Sequence, residues 1–212
     1  LYQPIDIPRN KKFGNNYWEV FSPKLNRTVK LYSDLEYDHW LLIESDPSVR
    51  CYCEQPLKIQ LYWNNKLHQS IFDMWILYDD NSESFIEIKY SNDLIKPKVM
   101  EQLSVQQQWC NEHNKRHVIA TEKDIRSNQV RLANARLMVS FLKSLPKNTV
   151  QTHSIYELIQ QKQRMTVSEI RQSLTELGDE QIFTTVCYLL HQSKIKGDIN
   201  QAPINKDFEV WV

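Results

Sequence analysis

Two β-patterned segments joined by an acidic turn constrain this chain more than any other feature. Residues 72–78 form an apolar run carrying one carboxylate, Asp73, near its start, and residues 85–90 interleave Glu87 and Lys89 with apolar and aromatic side chains. Between them Asp79, Asp80, Asn81 and Ser82 are turn formers, so the pair is predicted to be a β-hairpin of short, exposed strands. A turn centred near Asn81 sets Asp73 opposite Lys89 and Trp75 opposite Glu87. Side chains alternate faces with a period of two, so Asp73, Glu87 and Lys89 share one face while Ile86 and Ile88 take the other. Two carboxylates and an ammonium on one sheet face suit a hard cation and an activated water, not a hydrophobic core. A surface ion pair between Asp73 and Lys89 accounts for the same charges without any chemistry, and that reading stands beside the first.

With 212 residues, 41% of them hydrophobic, the chain can bury a real core in one or two domains. Its 26 basic and 26 acidic residues cancel, yet their distribution is uneven. Residues 1–30 carry six basic against two acidic residues, a net of +4, and residues 31–101 carry six against 13, a net of −7. A basic arm leading into an acidic centre fits an enzyme that holds cations in its middle and a polyanion at its edge. An unevenly charged, solvated surface fits the same pattern. No apolar run approaches the roughly 18–20 residues that span a bilayer, no signal-peptide pattern is visible, and the opening Leu1 suggests a trimmed N-terminus. Cys51, Cys53, Cys110 and Cys187 are too scattered for a disulfide scaffold, so reduced thiols are expected. The three glycines, at 14, 178 and 197, leave no phosphate-cradling loop of the Walker or dinucleotide type.

Along the chain, residues 1–30 look irregular, punctuated by Pro4, Pro8, Gly14 and Pro23. A helix is predicted over 33–45, stopped by Asp46-Pro47, then strands over 49–52 and 57–63, the hairpin, a helix over 98–114 and a closing strand over 117–121. This order describes a mixed α/β domain over 31–126. Beyond it the pattern changes to helices over 129–145, ended by Pro146, and over 155–163. Thr166 and Glu169 make a capping box for a helix over 167–177, with Gly178 as its stop and Asp179 capping a further helix to about 192. Strand-like pieces at 194–199 and 208–212 complete a winged-helix pattern over 127–212. Its last helix offers Gln181, Thr184, Thr185, His191 and Gln192 but no Lys or Arg, which favours protein docking over base reading.

Other candidates have ordinary explanations. Ser33-Asp34-Leu35-Glu36 is itself a capping box, in which Glu36 reaches back to the helix start. Cys51 and Cys53 lack a second pair at zinc spacing. His113 and His117 are separated by a helix end, His68 reads alone as a surface histidine, and Gln106, Gln107 and Gln108 read as a polar helix face.

The order Ser33-x-Leu35-Glu36, Asp46-Pro47, Tyr52-x-Glu54-Gln55-Pro56, His68, Asp73 and Glu87-Ile88-Lys89 resembles the TnsA family. Its members are endonuclease subunits of heteromeric cut-and-paste transposases with a restriction-endonuclease-like PD-(D/E)xK core. The resemblance covers about residues 20–125, and the tail agrees with a second, winged-helix domain. It implies an α/β core with a mixed sheet flanked by helices, and a site in which Glu36 faces the metal from a helix. Asp73 is then the central bridging carboxylate, Glu87 the second ligand, Lys89 the active-site lysine and His68 an accessory group. Two positions depart from the family pattern: Phe72 stands where a Pro is usual, and Ser70 where an aromatic is common.

The resemblance further implies Mg²⁺, with Mn²⁺ as substitute, in a two-ion arrangement, and cleavage of the 5′ ends of a transposon in double-stranded DNA. The implied partners are a TnsB-like DDE transposase that cuts the 3′ ends and a TnsC-like AAA+ regulator docked on the C-terminal domain, in the bacterial cytoplasm and away from membranes. A stand-alone restriction or repair nuclease of the same fold, and a non-catalytic adaptor bridging DNA and protein, are the alternatives. The intact set Glu36, Asp73, Glu87 and Lys89 argues against the adaptor. The basic arm, with Lys11, Lys12, Lys24 and Arg27, is expected to contact DNA or the transposase.

Overall fold

A computed structural model describes residues 1–6, 16–142 and 150–212. They divide into two compact units, one of residues 1–40 with 48–127 and one of residues 41–47 with 128–212. Among the described residues no helix is long and apolar enough to cross a membrane.

The first unit opens with a hairpin where irregular chain was expected. Strands β1 (Trp18–Ser22) and β2 (Arg27–Leu31) pair antiparallel, Trp18 opposite Leu31 and Ser22 opposite Arg27. Pro23 and Asn26 punctuate only the turn, which Asn26 closes with φ 54°, while Val20, Val29 and Leu31 alternate into the core. The described cations of this arm, Lys24, Arg27 and Lys30, are engaged within the unit. Arg27 donates to both oxygens of buried Glu54 at 2.6 Å, Lys24 donates to the Val49 carbonyl at 2.7 Å, and Lys30 pairs with Asp6 at 2.9 Å. Lys11 and Lys12 lie outside the described residues.

Helix α1 (Asp34–Ser45) begins at the predicted capping box and ends before Pro47. Strand β3 (Val49–Glu54) follows, then a hairpin of β4 (Lys58–Trp63) and β5 (Lys66–Ile71). Its two-residue turn places Asn64 and Asn65 at φ 49° and 60°, the left-handed pair that such a turn requires. Strands β6 (Met74–Tyr78) and β7 (Glu83–Ile88), helix α2 (Pro97–Glu112), strand β8 (Arg116–Ala120) and the short α3 (Glu122–Ile125) complete the unit. The principal sheet has the order β3-β6-β7-β8, antiparallel except for the parallel pair β7–β8 that α2 connects.

The β6–β7 register differs by two residues from the sequence reading: Met74 faces Ile86 and Leu77 faces Glu83. Tyr78 donates to the Ser82 carbonyl, so the loop is the three residues 79–81, with Asn81 in the left-handed conformation (φ 64°) at its last position. This is the three-residue hairpin geometry, centred on Asp80. A two-residue slip preserves faces, so Asp73 and Glu87 still share a side. The strands are not exposed. Strand β7 lies between β6 and β8 with Ser84 through Ile88 buried. Phe72, immediately before Asp73, is fully buried, 4.9 Å from the Phe85 ring and 5.7 Å from Trp109. Cys53 and Cys110 pack in the same core, and burial raises both thiols. All four cysteines are free.

The second unit contains α4 (Gln129–Leu142), α5 (Val150–Lys162), β9 (Arg164–Thr166), α6 (Val167–Ser173), α7 (Asp179–His191) and β10 (Glu209–Trp211). Pro146 lies outside the described residues. The expected capping box at Thr166 is present, its hydroxyl accepting from the Glu169 N–H at 3.2 Å. Gly178 is not a helix stop. Helix α6 ends earlier, at Ser173, and Gly178 is the residue before α7, with φ −78° and its N–H donating to Gln181 Oε1 at 2.8 Å. Leu177 is drawn into the core instead of continuing α6. The terminal pairing also differs from the expected hairpin: β10 pairs with β9, and residues 194–199 contribute one bridge, Lys196 to Trp211. A three-residue strand ending on a helix cap has too little alternation to be visible in the sequence. Two of the polar residues of α7 are buried: Thr185, and His191, whose Nε2 lies 3.0 Å from the Glu44 carbonyl.

Candidate active site

Asp73 occupies the joint between β5 and β6, where its backbone is held from both sides. Its N–H donates to the Ile86 carbonyl at 3.1 Å and its carbonyl accepts from the Gln55 N–H at 3.0 Å. Its side chain accepts from the Ile88 N–H at 2.7 Å. The antiparallel register that pairs Met74 with Ile86 continues to set Asp73 across from Glu87. Glu87 leaves the end of β7, and Lys89 follows two residues later on the same face, tied to β8 by its N–H bond to the Ala120 carbonyl. The Lys89 ammonium donates to Glu87 Oε1 and lies 3.7 Å from Asp73 Oδ2. Glu87 is closed off, its side chain 1% exposed, whereas Asp73 and Lys89 are 21% and 22% exposed. A ligand from solvent therefore reaches Asp73 and Lys89 first.

What makes a buried Glu87 tolerable is a pair of glutamines: Gln106, expected from the sequence to lie on a polar helix face, and Gln102, which the sequence analysis does not single out. Gln102 and Gln106 are one helical turn apart on α2 and point the same way. Gln102 donates to Glu87 Oε1 and Gln106 to Glu87 Oε2, both at 2.7 Å. Both amides also reach the Ser70 hydroxyl, at 3.3 and 3.0 Å. Ser70 is thus a small polar residue that leaves the glutamines room. The available signal was the i, i+4 spacing of two amides on a helix that packs beside a charged strand.

Glu36 makes the cap that the sequence pattern predicts, accepting from the Tyr32 N–H and the Ser33 hydroxyl, each at 3.0 Å. It is also close enough to the site to be influenced by Asp73 and Lys89. His68 is not brought to Asp73. It lies on β5 with Nε2 3.5 Å from Glu101 Oε1 of α2.

The electrostatics are those of a site with too much negative charge. Burial first, and then repulsion from Asp73, pushes Glu87 up to about 8 and Glu36 up to about 7. Asp73 is raised as well, chiefly by burial, against the opposing pull of Lys89 and the Ile88 N–H. Burial acts against the Lys89 ammonium, but attraction from Asp73, Glu87 and Glu36 outweighs it and raises its pKa. These neighbours favour the charged form of Lys89, which is a hydrogen-bond donor to Glu87.

Among the described residues no three His, Cys, Asp or Glu side chains converge as a ready metal cage. Glu36 remains occupied at its cap. The donor set nevertheless fits a hard divalent ion. Mg²⁺ is commonly held by one or two carboxylates together with substrate phosphate oxygens and waters, and here two opposed carboxylates carry charge that one lysine does not balance.

Residues 46–122, the span that holds His68, Asp73, Glu87 and Lys89, match the family model described as TnsA-like endonuclease N terminal. None of the curated proteins matches the chain. Over residues 46–122 the chain is thus similar to the N-terminal domain of the TnsA-like endonucleases.

Proposed function

We propose that this protein is a divalent-cation-dependent DNA endonuclease that cuts the 5′ ends of a transposon, in concert with a DDE transposase and an AAA+ regulator. The observation that carries the reading is the facing pair Asp73 and Glu87 with Lys89 beside both, inside the segment that matches the endonuclease family. Asp73 and Glu87 would hold Mg²⁺, with Glu36 at the edge of the same field. When bound, the ion supplies Lewis-acid polarisation of the phosphodiester and lowers the pKa of an attacking water.

The chain's own residues divide the remaining work. Gln102 and Gln106 orient the Glu87 carboxylate and keep it from turning toward solvent. The Ile88 N–H does the same for Asp73. Hydrolysis adds a water oxygen to phosphorus and expels an alkoxide, so negative charge grows on the phosphoryl oxygens. Lys89, part-exposed beside Asp73 and favoured in its charged form by the carboxylates around it, would stabilise that charge.

For the C-terminal unit we infer a winged-helix module that docks protein. The order α5, β9, α6, α7, β10 with the Lys196–Trp211 bridge supports that topology. Docking is favoured because α7 has no Lys or Arg, and phosphate neutralisation dominates DNA affinity.

The test is an end-cleavage assay with the reconstituted transposase. Asp73→Ala and Lys89→Ala should each lower 5′-strand cutting by at least about 10²-fold while 3′ cutting continues. Cleavage at the wild-type rate in either variant would refute the assignment.

A further inference from the structure

A cavity of about 540 Å³ lies between β5 and α2, and Lys58, His68, Ser70, Lys98, Glu101 and Gln102 are among the residues that line it. It adjoins the carboxylate pair directly, because Gln102 forms part of its wall and also donates to Glu87 Oε1. Lys58 and Lys98 are exposed, and among the described residues neither is engaged in an ion pair or side-chain hydrogen bond. His68 adds a third nitrogen group, 13% exposed, and Glu101 is the one carboxylate of the lining.

The surrounding sequence is unusual in the same direction. Residues 55–72, which contain all of β4 and β5, hold no Asp or Glu, although they lie within the 31–101 stretch whose net charge is −7. A polyanion approaching Asp73, Glu87 and Glu36 meets repulsion. Unpaired ammonium groups on an acid-free ribbon next to that pair offset it at the place where the strand must run. An intramolecular role for these lysines would show as an ion pair, which is what Arg27, Lys30 and Lys115 of this unit have instead.

We propose that this cavity is a phosphate subsite for the DNA strand next to the reacting phosphodiester, with Lys58 and Lys98 as the groups that hold it. The assignment rests on the nuclease reading above. Its recognition is of backbone charge, so it is blind to base sequence.

The experiment is a fluorescence-anisotropy titration of the full chain with labelled duplex DNA, in EDTA, across a series of salt concentrations. The double variant Lys58→Gln/Lys98→Gln keeps most of each stem and removes both charges. Its affinity should fall several-fold at low salt, equally for unrelated sequences, and the slope of log K against log salt should become shallower by about one. Asp73→Ala should keep the wild-type slope while losing cleavage. An unchanged slope in the double variant overturns the subsite even where Asp73→Ala is inactive. Weaker binding without a change of slope, which marks general damage, overturns it too, as does the absence of DNA binding by the wild type at low salt. Cleavage by Asp73→Ala instead defeats the nuclease reading and leaves the slope measurement standing.

Discussion

Replacing Glu87 by Gln preserves the side chain's size and removes the one ionisation that the interior of the site penalises most. In the folded chain the Glu87 carboxyl is pushed up to about 8, against 4.5 unfolded. Between those values the folded state keeps a proton that the unfolded state has released. Stability therefore falls as pH rises through this window, and the full penalty is present above about pH 8. One unit of pKa is worth about 1.4 kcal/mol, so the whole window sets a ceiling of roughly 4–5 kcal/mol. Asp73 and Glu36 respond to the same field, which divides the cost of the extra charge among three groups. The expected gain of Glu87→Gln over wild type is then on the order of 2 kcal/mol at about pH 8.5. For a chain of this length that amounts to about 4–8 °C in Tm.

Thermal melts of both proteins in EDTA, at about pH 5 and about pH 8.5, read this directly. The difference between the two proteins is the relevant quantity, because it cancels buried His39, whose pKa is lowered by burial to about 4 in both. The variant should gain on the wild type as pH rises. Mg²⁺ at the higher pH should then stabilise the wild type and leave the variant nearly unmoved, since the ion takes over the proton's role only where the carboxylate exists. A difference that stays constant or shrinks with pH refutes the account of the site as charge-strained.

Two further outcomes test the surrounding fold. Arg27→Ala leaves Glu54, 2% exposed, without its bidentate partner and should cost about 2–4 kcal/mol in urea unfolding, much of it recovered when Glu54→Leu is added. Gly197→Ala sets a methyl group 2.6 Å from the Phe208 ring and 3.1 Å from the Glu209 carbonyl, so it should lower stability by about 1–3 kcal/mol, seen as a lower urea midpoint at unchanged slope.

Much of the site was legible because it is local. Glu87 and Lys89 are two residues apart on one strand, and a strand's period of two puts them on one face whatever surrounds it. Asp73 joined them through a hairpin, where even a turn placed one residue too late shifts the register by two and leaves the faces as they were. The cap at Ser33 and Glu36 was equally local, and the structure shows it made. The helices α1, α2, α4 and α7 followed from apolar spacing and from Pro and cap residues near their ends. The hairpin β1–β2 was missed because its turn residues were read as the whole segment's character, and β9 because three residues carry no period.

The amino-acid order by itself determined which side chains stand together along one strand or one helical turn, since backbone geometry sets those distances without reference to the rest of the chain. Tertiary structure alone decided that β7 is an inner strand, that Glu87 is sealed beneath Gln102 and Gln106 from a helix 15 and 19 residues away, and that His68 turns to Glu101 instead of Asp73. Burial and, for Glu87 and Glu36, the nearness of a second carboxylate are what raise the acid groups of the site. Burial is not a property of any short stretch of sequence, because it depends on which distant element excludes the water.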